Sequence, residues 1–561
     1  MDVISHNLGL NFDERLVTAR ELIGLQSKAE QLLSILTWKK SLSEGFPIIA
    51  CLVGGTGTGK STIFNSLAGQ SLSKVGSRRP CTREAVALLP QTWEQAFLTC
   101  PIVGYKTSLE NSADGTVIDL HTTLEDSGFI LVDTPDFDSV ELHNRIVAEG
   151  FFNIADLVIF VTSQEKYGDM SGLRVRDEAE RWGKTIFVIM NKVASESAFE
   201  DFQSALKESQ LHLIGLIRLE RMENSPDHIE GLSERPEFSQ LSNLWNRDKA
   251  LELRTEELDK LRAQVVGTLE SLVRSTEIEI DRIDAINDQI EKILKQVQHG
   301  LNDELDAVVS AEVKNHINER LHQVLRRYDI FFGVRNTIRT TIQKTFGSLR
   351  NLLLYSVGRG RFGNDEENQR LKDVASLRTA VRLKPLETAM AQLNREVSEL
   401  LSSDPHNQDL ARVMQNDVPR WDENAIRERF DEAFPGVEKL LEAEFNHFKE
   451  GLTRTDEAKL YGSYTLWALL VITAEIVLGG GFTLLDAMFN TAIFPFIPKW
   501  ILRLKIMDLL RHIANSLNME YRRVQHDILR SQAEAYYTEF TSLIPTQANL
   551  ARVRDIQRQL S

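Results

Sequence analysis

The apolar residues of this chain change their spacing several times, and each change predicts a different kind of structure. Over residues 13–43, Leu16, Ala19, Leu22, Ile23, Leu32, Leu33, Ile35 and Leu36 recur at helical spacing and predict an amphipathic helix. From Phe46 to about Glu223 the apolar positions gather into short runs at 48–53, 85–89, 129–132, 157–161, 186–190 and 213–219. Such runs suit strands covered on both faces, and their alternation with helical segments predicts an α/β domain with a mainly parallel sheet. From about Leu251 to Leu460 the period becomes three to four: Leu258, Leu261, Val265, Leu269, Leu272, then Ile280, Ile283, Ile290, Ile293 and Val297. A periodic stretch of this length predicts long packed helices or coiled coil. Breaks are expected near 358–363, at Asp404-Pro405 and at Phe434-Pro435-Gly436.

Residues 463–498 stand apart. Two nearly continuous apolar segments flank Gly479-Gly480-Gly481, each shorter than the ~20 residues a bilayer-crossing helix needs. Together they predict an apolar helical hairpin. Tyr461, Tyr464, Trp467 and Trp500 edge it, and Lys499, Arg503 and Lys505 follow, which suits a lipid interface. Glu475 and Asp486 oppose insertion, because a carboxylate in hydrocarbon costs a few kcal/mol unless protonated or paired. The alternative is a hairpin buried in the helical core. After it the chain is again amphipathic, with 10 Lys/Arg against 6 Asp/Glu from Lys499 to Ser561, a bias compatible with anionic lipid or with a solvated helix face.

Composition narrows the partners. A net charge of −16 with no long basic run argues against nucleic acid, and 561 residues exceed what one core can organise. Cys51, Cys81 and Cys100 lack metal-ligand spacing and fit a reducing compartment, with Cys51 a core residue. No basic segment followed by an apolar run opens the chain, so a cytoplasmic, membrane-associated protein is expected.

The chemistry is concentrated in Gly54-Gly55-Thr56-Gly57-Thr58-Gly59-Lys60-Ser61-Thr62, between the first apolar run and a helix opening. This is the phosphate-binding loop pattern in the context it requires, and it predicts a bound nucleoside triphosphate. Backbone N–H groups and the helix N-terminus would cradle phosphate, Lys60 would reach the outer phosphates, and Ser61 would hold Mg²⁺. Asp133, at the end of the run before Thr134-Pro135-Asp136, is placed to hold Mg²⁺ through water. Thr82, in Ser77-Arg78-Arg79-Pro80-Cys81-Thr82, is placed as the loop threonine that closes on Mg²⁺ and the terminal phosphate. Lys60 and Thr82 are thus the expected catalytic residues, and Ser61, Thr82 and Asp133 the metal set. Asn191-Lys192 ends a strand as a guanine-binding motif does, Asn191 bonding the base and the Lys192 stem covering its face. Arg78, Arg79 and Arg83 could neutralise phosphate or be solvated loop charges. The 166–169 loop has no assigned role, and 223–226 is the only candidate for a ribose-side motif.

In this order the motifs resemble a GTPase of the translation-factor class. With a long helical remainder and a late apolar hairpin, the chain resembles the dynamin superfamily, especially its bacterial dynamin-like and mitofusin-like members. The resemblance implies GTP/GDP and Mg²⁺ as ligands, and a homodimer through the GTPase domain or a dynamin-like partner chain. It also implies a domain order: 1–45 packing with a neck, 46–240 the GTPase domain, 245–460 a neck and trunk, 463–498 a membrane-inserting paddle, and 499–561 returning helices. Dimer-coupled stalk movement would remodel, fuse or tether membrane. Five residues depart from the pattern. Asp136 replaces the glycine whose N–H meets the terminal phosphate; Phe137 stands where a glutamine orients water; Thr56-Gly57 stands for Gln-Ser; and Ala194 replaces the aspartate that reads guanine. The departures leave two alternatives open: a membrane-anchored switch or scaffold with weak or no hydrolysis, and a soluble P-loop ATPase with a buried hairpin.

Overall fold

The computed structural model describes residues 7–74, 85–104, 118–123, 128–136, 142–166, 170–220, 231–232, 235–238, 241, 247–306, 381–450, 470–471, 473–474, 476–479 and 506–561. The chain divides into two compact units, one of residues 1–14, 18–279 and 545–561, the other of 15–17 and 280–544.

The first unit is built on a seven-stranded sheet of order β3-β2-β4-β1-β5-β6-β7. Its strands are β1 (Ile48–Val53), β2 (Ala85–Pro90), β3 (Ile118–Thr123), β4 (Phe129–Asp133), β5 (Leu157–Ser163), β6 (Thr185–Val193) and β7 (His212–Glu220). All neighbours run parallel except β2 and β4. The central strands are buried along their whole length, as their unbroken apolar runs require. β3 is the strand that the apolar runs do not announce. Ile118-Asp119-Leu120-His121-Thr122-Thr123 alternates and is half exposed, which is the signature of an edge. Helices α1 (Ala19–Ser41), α2 (Lys60–Ala68), α3 (Leu142–Ile154), α4 (Met170–Trp182) and α5 (Glu196–Glu208) accompany the sheet.

The long helix α6 (Arg247–Asp306) enters this unit with its residues up to Glu279. Arg254 donates to the carbonyls of Ser43 (2.8 Å), Phe46 (3.2 Å) and Lys39 (3.3 Å), so its guanidinium caps the C-terminal end of α1. The last helix also joins this unit. Its Arg554 pairs with Glu277, and Asn549 donates to the Gly9 carbonyl at 2.8 Å. Cys51 and Cys100 are buried, and burial pushes the Cys51 thiol up.

The second unit is helical among its described residues: the rest of α6, α7 (Lys384–Ser403), α8 (Gln408–Asn416), α9 (Glu423–Glu450) and α10 (Ile506–Ser542), with α11 (Gln547–Leu560) returning to the first unit. Polar groups find partners across the unit: Arg282 pairs with Asp409 at 2.9 Å, Tyr536 donates to Asn394 at 2.6 Å, and Gln532 of α10 accepts from the N–H of Trp421, before α9, at 3.1 Å. The break at Asp404-Pro405 is present, with the Asp404 carboxylate accepting from His406 N–H at 2.9 Å. The break expected at Pro435-Gly436 is not: α9 runs through both. Proline in a helix interior removes one hydrogen bond at a cost of about 3 kcal/mol, which helix–helix packing has to outweigh here.

The apolar stretch 463–498 is described only at residues 470–471, 473–474 and 476–479, which are helical up to Leu478. Leu470, Val471, Thr473, Ala474, Ile476, Val477 and Leu478 are all buried, and the Leu478 carbonyl accepts from Arg382 N–H at 3.0 Å. At 3.6 residues per turn these positions cover about 220° of the helix circumference. At these positions the hydrophobicity is satisfied by protein packing. The second arm, Glu475 and Asp486 lie outside the described residues. Among the described residues no helix is long and apolar enough to cross a membrane.

Candidate functional site

The loop between β1 and α2 lies where the sheet order reverses about β1, the position at which open α/β sheets bind ligands. Its glycines are required by geometry. A side chain on Gly54 would run into the Val161 carbonyl of β5, and Gly59, at φ +95°, leaves no room for a Cβ beside the Asn191 amide. Thr58 is buried and turns the loop back on itself, its hydroxyl donating to the Gly55 carbonyl at 2.9 Å. Thr56 and Thr62 are half-buried and Gly57 is exposed.

Lys60, the first residue of α2, is buried. Its ammonium donates to the carbonyls of Gly54 (3.0 Å) and Gly55 (3.4 Å) and forms an ion pair with Asp136. Ser61 donates its hydroxyl to Asp133 Oδ2 at 2.7 Å. Strand register brings this about, because Asp133 pairs with Leu52 next to the end of β1. Ser73 donates to the same oxygen, also at 2.7 Å. Sequence reasoning gives Ser73 no role. It is held by Asn65, fully buried on α2, which accepts from Ser73 N–H at 2.8 Å and donates to its carbonyl at 2.9 Å.

Asp133 has no solvent exposure. Burial raises its carboxyl above the ordinary range, even though the Lys60 charge and the hydroxyls of Ser61 and Ser73 pull the other way. Its Oδ1 has no hydrogen-bond partner among the described residues. An orphaned carboxylate oxygen beside a serine hydroxyl is a set of hard oxygen donors, and it fits Mg²⁺. The third expected metal residue, Thr82, lies outside the described residues, as do Arg78, Arg79, Arg83, Phe137, most of the 166–169 loop and 223–226.

On the other side of the loop, β5 and β6 pair Ser163 with Asn191. The Asn191 amide donates to the Thr58 carbonyl at 2.9 Å, and Lys192 Nζ to the Gly57 carbonyl at 2.7 Å. Lys192 has φ +58°, a conformation costing a side-chain-bearing residue about 1–2 kcal/mol; its N–H is held by Asn191 Oδ1 at 2.9 Å. Ala194 is exposed, and its backbone is fixed by Gln164, whose Oε1 accepts from the N–H groups of Ala194 (2.6 Å) and Ser195 (3.3 Å). Ser195 caps α5, and Glu196 pairs with Arg218.

Residues 49–192 match the family described as 50S ribosome-binding GTPase, and the site residues from Gly54 to Lys192 lie within the matched span. The chain is 30% identical over 149 residues to the GTPase Der of Lachnospira eligens, covering 27% of each protein. To the GTPase Der of Agathobacter rectalis it is 26% identical over 162 residues, covering 29% of this chain and 30% of that protein. The chain thus matches less than a third of the length of either relative. Two solved structures of an oligomerised bacterial dynamin pair, described as a mechanism for the long-range sensing and tethering of membranes, align over 96% of this chain and 91% of theirs. Their identities are 11% and 12% and their TM-scores 0.40 and 0.41.

Proposed function

We propose that this protein is a dynamin-like GTPase whose head binds and hydrolyses GTP and whose helical segments respond to the nucleotide. The observation that carries the reading is convergence: Lys60, Ser61 and Asp133 gather on one side of the 54–59 loop, and Asn191 and Lys192 close on the other. Loop N–H groups and the start of α2 receive the phosphates, and Lys60 neutralises the outer ones as water attacks the terminal phosphorus. Ser61 and Asp133, joined by Thr82, hold Mg²⁺, which when bound offsets phosphate charge. Asn191 reads the guanine edge and the Lys192 stem covers the ring.

In this reading residues 1–45, 245–460 and 499–561 form neck and trunk, and head-to-head pairing of two chains stimulates turnover. Residues 463–498 are the membrane element. Since the described part of the first arm is buried, lipid contact means release of that arm from its packing. Flotation with liposomes tests both halves, using wild type, Lys60→Ala and a deletion of 463–498, each with GTP, ATP or none. Lys60→Ala should lower GTP affinity about 100-fold or more and remove any nucleotide dependence of flotation; the deletion should remove flotation. Equal binding of GTP and ATP would sink the guanine assignment. Flotation that survives the deletion would sink the membrane element.

A further inference from the structure

The ion pair between Lys60 and Asp136 is not accounted for by GTP binding and opposes it. In a phosphate-binding loop the lysine ammonium is the group that receives the outer phosphates. Here three acceptors already surround it: the carbonyls of Gly54 and Gly55 and the Asp136 carboxylate. The carbonyls belong to the loop itself and carry no net charge. Asp136 carries a full one and comes from the segment after β4, where the motif otherwise places a glycine with no side chain at all. Lys60 is buried, so the pair is poorly screened and its loss would be felt.

We propose that Asp136 is a specificity-determining residue that stands in for the terminal phosphate on Lys60 and so favours the diphosphate over the triphosphate. The proposal rests on the nucleotide reading above. A diphosphate leaves the terminal-phosphate side of Lys60 to the carboxylate, and both anions share one cation. A triphosphate brings a further anionic group to the same ammonium. Either Asp136 withdraws, giving up its pair, or two like charges are held together in a poorly screened site. Asp133 lies on the same side with its own buried carboxylate, so negative charge is already crowded there. A glycine at this position would offer an N–H to the terminal phosphate and no charge. The aspartate converts that invitation into competition.

The test uses the full chain with Mg²⁺, titrated with GDP and with the slowly hydrolysed GTPγS, comparing wild type, Asp136→Asn and Asp136→Gly. Wild type should prefer GDP. Both variants should raise the GTPγS-to-GDP affinity ratio by about tenfold, mainly through tighter GTPγS binding. The asparagine keeps the size and removes the charge; the glycine removes both, so agreement between them assigns the effect to charge. A variant that merely disturbed the loop would weaken both nucleotides alike, and thermal melts without nucleotide identify one that does not fold. A wild type that binds GDP, with variants whose ratio is unchanged or reduced, overturns the role of Asp136 and leaves nucleotide binding standing. A wild type that binds neither nucleotide overturns both.

Discussion

The two ends of the central strands carry buried charge in opposite ways. At the end where the chain enters β1 and β6, Lys39 pairs with Asp156, whose other oxygen accepts from Ile49 N–H at 2.8 Å. Lys184 donates to the Ala155 carbonyl at 2.9 Å and lies 3.6 Å from Glu257. Glu257 in turn accepts from Thr185 N–H (3.1 Å), the Thr185 hydroxyl (2.7 Å) and Lys260 (2.9 Å). Each charge there faces one of opposite sign, Lys39 with Asp156 and both Lys184 and Lys260 with Glu257, whose Oε2 makes the 3.6 Å ion pair with Lys184 but no hydrogen bond. At the nucleotide end the matching is incomplete. Asp133 Oδ1 has neither a hydrogen bond nor an ion pair among the described residues, and Lys60 is paired with Asp136. Buried charge opposed by built-in side chains of opposite sign fixes structure; a buried carboxylate oxygen with neither hydrogen bond nor ion pair is where a ligand is to be looked for.

The largest expected effect tests the satisfied end. Glu257→Ala strands Lys184, which is almost fully buried, and removing one partner of such a pair costs about 3–5 kcal/mol. Chemical denaturation should show that loss, with GDP affinity of the folded fraction unchanged within about twofold. The same residue gives a pH signature. Burial alone would raise the Glu257 carboxyl, but Lys184, Lys260 and Thr185 outweigh it and hold the group below its ordinary value of 4.5. A carboxylate lowered on folding contributes stability above the unfolded pKa and loses it as pH falls through the folded one. Stability should therefore drop below about pH 4.5 more steeply in wild type than in Glu257→Ala. A GDP affinity that collapsed with the pair would erase the distinction between the two ends.

How much of this was readable beforehand follows from which residues interact. β1, β4 and β6 are continuous apolar runs with their chemistry at the C-terminal end, so Lys60, Asp133, Asn191 and Lys192 were legible as motifs. Ser73 and Gln164 were not, because each acts on a residue far along the chain, Ser73 on Asp133 and Gln164 on the backbone of Ala194 and Ser195. The Lys39–Asp156 and Lys184–Glu257 pairs are hidden for the same reason. The apolar stretch 463–498 teaches a different limit. Hydrophobicity records a demand to leave water, and protein interior and lipid both meet it. Leu470 and Leu478 meet it inside the helical unit.

A second effect, of intermediate size, sharpens the contrast at the nucleotide end. Gly59→Ala forces a side chain into φ +95° and against the Asn191 amide. The backbone strain should cost about 1–2 kcal/mol of stability. Displacement of Asn191 should also lower GDP affinity, with discrimination between GDP and ADP falling in step. Strain that appeared in melting experiments with base discrimination intact would show that Asn191 does not read the base.

The smallest effect is the most specific. Ser73 touches no expected position of the nucleotide; it only donates to the Asp133 oxygen that Ser61 also bonds, and Asn65 holds it there. Ser73→Ala removes one hydrogen bond to a buried carboxylate, worth about 1 kcal/mol, and leaves Asp133 freer to turn its unpartnered oxygen away from Ser61. Groups that orient a metal ligand typically change metal affinity by about tenfold or more when lost. The Mg²⁺ concentration needed for half-maximal nucleotide binding should rise by about that factor in Ser73→Ala, while nucleotide binding without Mg²⁺ stays as in wild type. Asn65→Ala should produce the same shift, and the double variant no more than either alone, because both act through one hydroxyl. An additive double variant would mean that Asn65 and Ser73 serve the fold separately, and the orientation of Asp133 would then have to come from Ser61 alone.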